Sequence, residues 1–437
     1  MDVINVSVPQ IRAFLIAMAA VLLVQQAVGL PQDDDDQHLG VASCANSVCH
    51  GKSKAVENKN VMLNEYRVWS TEDRHARAYK TLLSSESKRI AKNLGLASAH
   101  TAKICLDCHA DNIVKEKRGP KFQINDGVGC EACHGGSEQW IESHTETGVT
   151  HQQNLDKNMY PTEDGEARAK LCLSCHYGTS DKLVNHEIMG AGHPRLSFEL
   201  ETFSANQPAH YKVDADYKER KPVISNFNLW VVGQFEMIKS SLALMQEKVV
   251  DNDAMIPELV LYDCHACHHA MSDKRWQQTA TKKGLPPGVI RLNDANLMML
   301  LTLVNVVEPT QYTALKKALI DLHLASQVNK SSLKAALELL QQLIIKLESP
   351  LLQREYAVET MIAVRARLLM QSASGEYRDF VTAEQAFLAI ESISISLQQD
   401  ASLEKQLNLL YGTLEDEDAF SPLKFKKTAG QVRKAFK

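Results

Sequence analysis

All ten cysteines of this chain fall into five close pairs, and each pair runs directly into a histidine: Cys44/Cys49-His50, Cys105/Cys108-His109, Cys130/Cys133-His134, Cys172/Cys175-His176 and Cys264/Cys267-His268. With 16 histidines in 437 residues, a histidine at every one of these positions requires a common cause. Two thiols at this spacing can add to the two vinyl groups of one porphyrin while the next residue's imidazole swings under the iron, so each C-x-x-C-H reads as a covalent haem c site. Zinc knuckles or redox dithiols, the usual competitors for a lone C-x-x-C, leave the five histidines unexplained. Five covalent haems are therefore expected, with the cysteines as attachment points and His50, His109, His134, His176 and His268 as proximal ligands. The first motif, CANSVCH, has four residues between its cysteines and demands a looped-out turn.

The N-terminus suggests the compartment. Ala13 to Val24 (AFLIAMAAVLLV) is apolar, follows Arg12 and precedes the small-residue pattern Ala27-Val28-Gly29, which reads as a signal peptide over residues 1–29. The alternative is an uncleaved anchor, because the run is just short of the ~18 apolar residues of a membrane span. Cleavage places the mature chain in the periplasm or outside the cell, where thioether attachment also takes place. Membrane association is expected only if this segment stays uncleaved. A net charge of −5 gives no indication of nucleic acid as a partner. The acidic run Gln32 to Gln37 (QDDDDQ) reads as a solvated, flexible leader, since it lacks the spaced ligands and glycine of a calcium loop.

The motifs divide the rest. Residues 30–290 hold all five, rarely sustain a long helical period, and belong to a chain only 6% aromatic, so porphyrins are expected to supply much of that core. Residues 291–437 instead carry apolar positions at three- and four-residue spacing, with Asn293 as an N-cap, a Thr382/Gln385 capping box and Gly412 as a stop. The expected fold is mainly α: short helices and loops around haems, then a helical bundle or array of helical hairpins. The basic end, Lys424 to Lys437, reads as a frayed tail.

Four segments, EYRVWSTEDRHARAYKTL, DGVGCEACHGGSEQWIESH, VNHEIMGAGHPRLSFELETFSANQPAHY and PELVLYDCHACHH, resemble the multihaem cytochromes related to cytochrome c-554. The resemblance runs from about Gly40 to Pro287 and stops before the helical third; that relative carries four haems where this chain has five motifs. In such cytochromes the histidine of a W…H-A-x-A helix caps a haem from the far side, which implies that role for His75. The wide first motif and the Cys-His-His end of the fifth also resemble cytochromes of the c3 type, where the second histidine ligates an adjacent haem; this makes His269 a distal candidate.

Spacing adds others. His144 follows Cys133 by eleven residues, and a short loop can bring it over a neighbouring iron. His186 and His193 are seven apart, two turns if helical, and can serve two different haems. His210 in QPAHY is a further candidate. His100 and His323 read as surface or locally hydrogen-bonded histidines, His265 as solvent-facing or propionate-bonded, and Met189 and Met271 as packing residues.

An iron with imidazole on both faces is closed to substrate and exchanges electrons with little rearrangement, so the expected activity is electron transfer between redox proteins, with no catalytic side chain. The alternative is an oxidoreductase acting on a small nitrogen compound, hydroxylamine or nitrite, at one haem with an open face, as related multihaem proteins do. A third reading has the helical third docking on an oxidoreductase that the haems serve as a wire.

Overall fold

The computed structural model describes residues 29–57, 61–253, 256–269 and 278–436. The apolar stretch Ala13 to Val24 and Met271 lie outside them. The described chain is mainly α-helical, with no strand and two isolated bridges, His38 to Arg118 and Tyr262 to Leu292. None of its helices is long and apolar enough to cross a membrane.

Up to residue 224 the helices are short, and three of them end on a motif histidine, among them Lys103–His109 and Gly165–His176. The third motif is a single turn, Glu131–His134, closed by His134 N–H donating to the Cys130 carbonyl over 2.9 Å. The fifth closes alike, His268 to Cys264 at 2.8 Å. The wide first motif reaches the same closure differently. Val48 N–H donates to the Asn46 side chain and Cys49 N–H to the Asn46 carbonyl, a tight local turn that absorbs the two extra residues. His50 N–H then still reaches the Cys44 carbonyl at 3.2 Å. Gly51 is needed there, because a Cβ would lie 1.9 Å from the Ala45 carbonyl oxygen.

Eight longer helices form a second body: α1 Asn226–Met245, α2 Ala295–Val307, α3 Pro309–Ala325, α4 Lys330–Leu352, α5 Val358–Ser374, α6 Phe380–Ser396, α7 Asp400–Tyr411 and α8 Pro422–Val432. Helix α1 is capped by Ser225, whose hydroxyl accepts from Asn228 N–H, and is apolar nearly all round, as a helix at the centre of a core must be. Trp230, Val231 and Phe235 are fully buried on it, within the same cluster as Leu300, Leu337, Leu368 and Ile390. One core thus runs across the 290/291 position, with α1 contributing from the motif-bearing side. A second cluster joins α1 to the haem-motif helix Gly165–His176 through Ala169, Leu173, Leu200 and Leu229.

Several local expectations are overturned. The acidic leader is not free: Asp34 accepts from Gly136 N–H at 3.0 Å, and buried Asp36 accepts from the Asn158 amide at 2.9 Å. Helix α8 is not a frayed tail, because Phe425, Ala429 and Val432 bury its apolar stripe against α5. Thr382 and Gln385 lie inside α6 rather than at its cap. Asp379 caps α6 by accepting from Thr382 N–H, and Gln385 donates to the Phe198 carbonyl. Helix α2 is entered at Asp294, one residue after Asn293, because Asp294 is held in a buried pair with Lys282 and His323.

Candidate metal centres

Each of the five motif histidines faces one other histidine at nearly constant separation. Ring centroids lie 6.3 Å apart for His50 and His144, 6.4 Å for His109 and His193, 6.2 Å for His134 and His210, 6.1 Å for His176 and His75, and 6.2 Å for His268 and His186. Imidazole–metal bonds are about 2.0 Å, so two imidazoles on opposite sides of one metal place their centroids about 6.3 Å apart. The residues present therefore fit an iron between the rings of every pair. His269, the remaining distal candidate, is outside these five pairs.

The pairs differ in orientation. His50 and His144 are nearly parallel at 12°; the pairs at His109, His134 and His176 are close to perpendicular, at 78°, 86° and 90°; His268 and His186 lie at 39°.

In five of the ten rings the protein holds Nδ1. Nδ1 of His50 donates to Glu65 at 2.9 Å, and that of His75 to Asp73 at 2.9 Å. His109, His144 and His193 donate from Nδ1 to the carbonyls of Ala78, Trp140 and Pro194 at 3.1, 3.1 and 2.7 Å. Fixing Nδ1 in this way sets the tautomer and leaves Nε2 as the atom that could bind a metal. Burial pushes His134 down to about 3 and His176 to about 4, and also lowers His109 and His144. These rings stay neutral, the form with a lone pair to give. His50 and His75 are shifted up instead, chiefly by their carboxylate partners.

Other histidines have different tasks. His38, fully buried, spends both ring nitrogens on Asp111 and the Pro31 carbonyl. His323, also fully buried, accepts from Leu292 N–H and pairs with Asp294, so it lies in the core and not on a helix surface. His151 pairs with Glu163, and His100 lies 6.5 Å from the Tyr79 ring. His265 is buried rather than solvent-facing.

A continuous cavity of about 2600 Å³ is lined by all eight cysteines of the first four motifs and by their eight paired histidines. Ordinary ligand pockets hold ~300–1,000 Å³, so this one has room for several large groups. Its thiols also meet across motifs. Cys44 lies within hydrogen-bonding reach of Cys130, and Cys108 of Cys175, while Cys133 is close enough to Cys172 and Cys175 to feel their charge. The fifth site is outside the cavity wall, and Cys267 and His268 are exposed.

Sequence reasoning missed the ligand-orienting partners Asp73, Glu65 and Trp140. For Asp73 a cue existed: a carboxylate two residues before a histidine, ahead of a short helix, can accept from both its backbone and its ring. No curated protein and no solved structure gives a significant match to the chain. A family model described as cytochrome c554 and c-prime matches residues 43–135, the segment holding the first three attachment motifs, and so relates this chain to the c-type cytochromes.

Proposed function

We propose that the chain is an extracytoplasmic electron conduit that holds five haem c groups, each between the two histidines of one pair. The observation that carries this reading is the recurrence of one spacing, 6.1 to 6.4 Å, at all five motifs. Bound haem would supply a one-electron iron couple that stays six-coordinate in both oxidation states. The chain's part is to fix both axial imidazoles and exclude other ligands.

The mutual influence of thiols from different motifs supports a spatial order. The first site adjoins the third through Cys44 and Cys130, the third adjoins the fourth through Cys133 and Cys172, and the fourth adjoins the second through Cys175 and Cys108. The second and fifth are joined by one short segment, since His193 and His186 flank Glu187 to Gly192. Electrons would pass in the order first, third, fourth, second, fifth. The exposed fifth site is then one exchange point with a redox protein partner.

The test is intact mass together with ferric electron paramagnetic resonance. Five covalent haems, all low-spin, are expected. Perpendicular axial rings leave the two iron dπ orbitals nearly degenerate, so three sites should give the highly anisotropic low-spin signal. The parallel pair His50 and His144 should give a rhombic one. A high-spin haem in the resting protein that turns over hydroxylamine or nitrite at ~1 per second or faster would replace this reading with an enzymatic one.

A further inference from the structure

The helical body touches the fifth site from two sides, and both contacts converge on the start of α6. On the proximal side, His265 lies between the two cysteines of the fifth motif, is 7% exposed, and packs its ring 6.4 Å from Phe380 and 5.9 Å from Phe420. Its Nδ1 is buried and finds no hydrogen-bond partner among the described residues, and the two phenyl rings pack against it. Asp263, one residue before Cys264, accepts from His265 N–H at 3.0 Å and pairs with Arg291, which lies 3.9 Å from Asp379, the cap of α6.

On the distal side the anchor is Arg195, two residues after His193 and nine after His186. Its guanidinium sits over the Phe380 ring at 5.4 Å from the centroid, and it donates to Glu384 on α6 and to Glu417, each at 3.0 Å. One phenyl ring therefore contacts both the attachment loop and the segment that carries the opposing histidine. Glu258 adds a third tie: it accepts from His186 N–H at 3.0 Å and from Val260 N–H at 3.1 Å, just upstream of the fifth motif.

We propose that the helical body is the mount of the fifth haem, with Phe380 and Arg195 as positioning residues that refer both of its axial histidines to one rigid wall. The proposal rests on the reading that His268 and His186 share an iron. It gives the helical third a task at the one site that lies outside the large cavity the other four share. A haem at the surface, with one exposed thiol and an exposed ligand, has little of its own core to fix its ligands. A wall built from a packed eight-helix body supplies that rigidity, and it also fixes the step between the second and fifth sites.

The experiment compares Phe380→Ala, Arg195→Gln and, as a control, Leu347→Ala. Leu347 is buried in the core of α4, which packs on α1 and α3. Because the thioether bonds are covalent, Phe380→Ala and Arg195→Gln should each keep five haems by intact mass. One haem should shift in midpoint potential and lose part of its low-spin signal, with the other four unchanged. Leu347→Ala should lower the melting temperature and leave all five potentials in place. Five unchanged potentials in both positioning variants would overturn the proposal, as would the same single-haem shift in Leu347→Ala. Failure of the underlying reading shows differently: four haems in the wild type, or a fifth haem that stays low-spin in His186→Ala.

Discussion

The Asp73 carboxylate accepts from the His75 ring at 2.9 Å and, through its other oxygen, from the Gln207 amide at 3.1 Å, three residues before His210. One buried anion thus orients the histidine opposite His176 and tethers the loop carrying the histidine opposite His134. Burial opposes the charge on Asp73, yet the hydrogen bonds from His75 outweigh it and hold the carboxyl at about 2. A carboxylate on Nδ1 makes the imidazole a stronger donor to ferric iron. Asp73→Asn should therefore raise the potential of one haem, and a tenfold loss of ferric preference corresponds to about 59 mV for a one-electron couple. Glu65→Gln should do the same at the first site. Potentiometry that resolves the haems checks both, and a fall in potential would contradict the argument.

His210 is the least tethered of the paired distal histidines. It lies between helices Leu200–Asn206 and Ala215–Arg220, and among the described residues neither its ring nitrogens nor its backbone N–H makes a hydrogen bond. His210→Ala should convert one haem to high spin and bind carbon monoxide at roughly one per chain, with the other four unchanged, because distal access decides between ligand binding and electron transfer. Titration of the reduced variant with carbon monoxide gives the count directly.

Helix α1 loses its partners if the chain is cut after Pro287. Trp230, Val231 and Phe235, all fully buried, would face water without α2 and α6. Such a chain should aggregate or lose its native haem spectrum; a monodisperse product with five unchanged haems would show that α1 does not need the later helices. In the full chain, Phe235→Ala should cost about 3–5 kcal/mol through the lost contacts and the cavity left behind. Thermal or denaturant unfolding followed by circular dichroism measures that loss.

Glu201 is 2% exposed, with its Oε2 unpartnered, and is raised to about 7 by burial first and by Glu199 second. A raised carboxyl favours the folded state fully below its unfolded value of about 4.5, and that contribution is lost as pH rises through about 7. Glu201→Gln should therefore match the wild type near pH 4 and melt higher near pH 8. Melting temperatures of both proteins across that range decide it, and a difference that grows toward low pH would reverse the sign.

The sequence by itself carried the attachment pattern. A haem c site needs two thiols for the thioether bonds and an imidazole for the iron within a few residues, so the pattern is local and visible in CANSVCH as well as in the four regular motifs. It also determined the helical third, since amphipathic period is local too. The distal pairing was not local. His75 meets His176 across 101 positions and His210 meets His134 across 76, while spacing offered His186 and His210, and the resemblance His269, with nothing to rank them. Only packing brought His186 and His210 opposite motif histidines, because opposition depends on where two backbone segments lie and not on either segment's pattern. The extent of the helical core was hidden for the same reason. Helix α1 reads as one more apolar stretch among the motifs until its neighbours, 50 and more residues later in the chain, are seen to cover it.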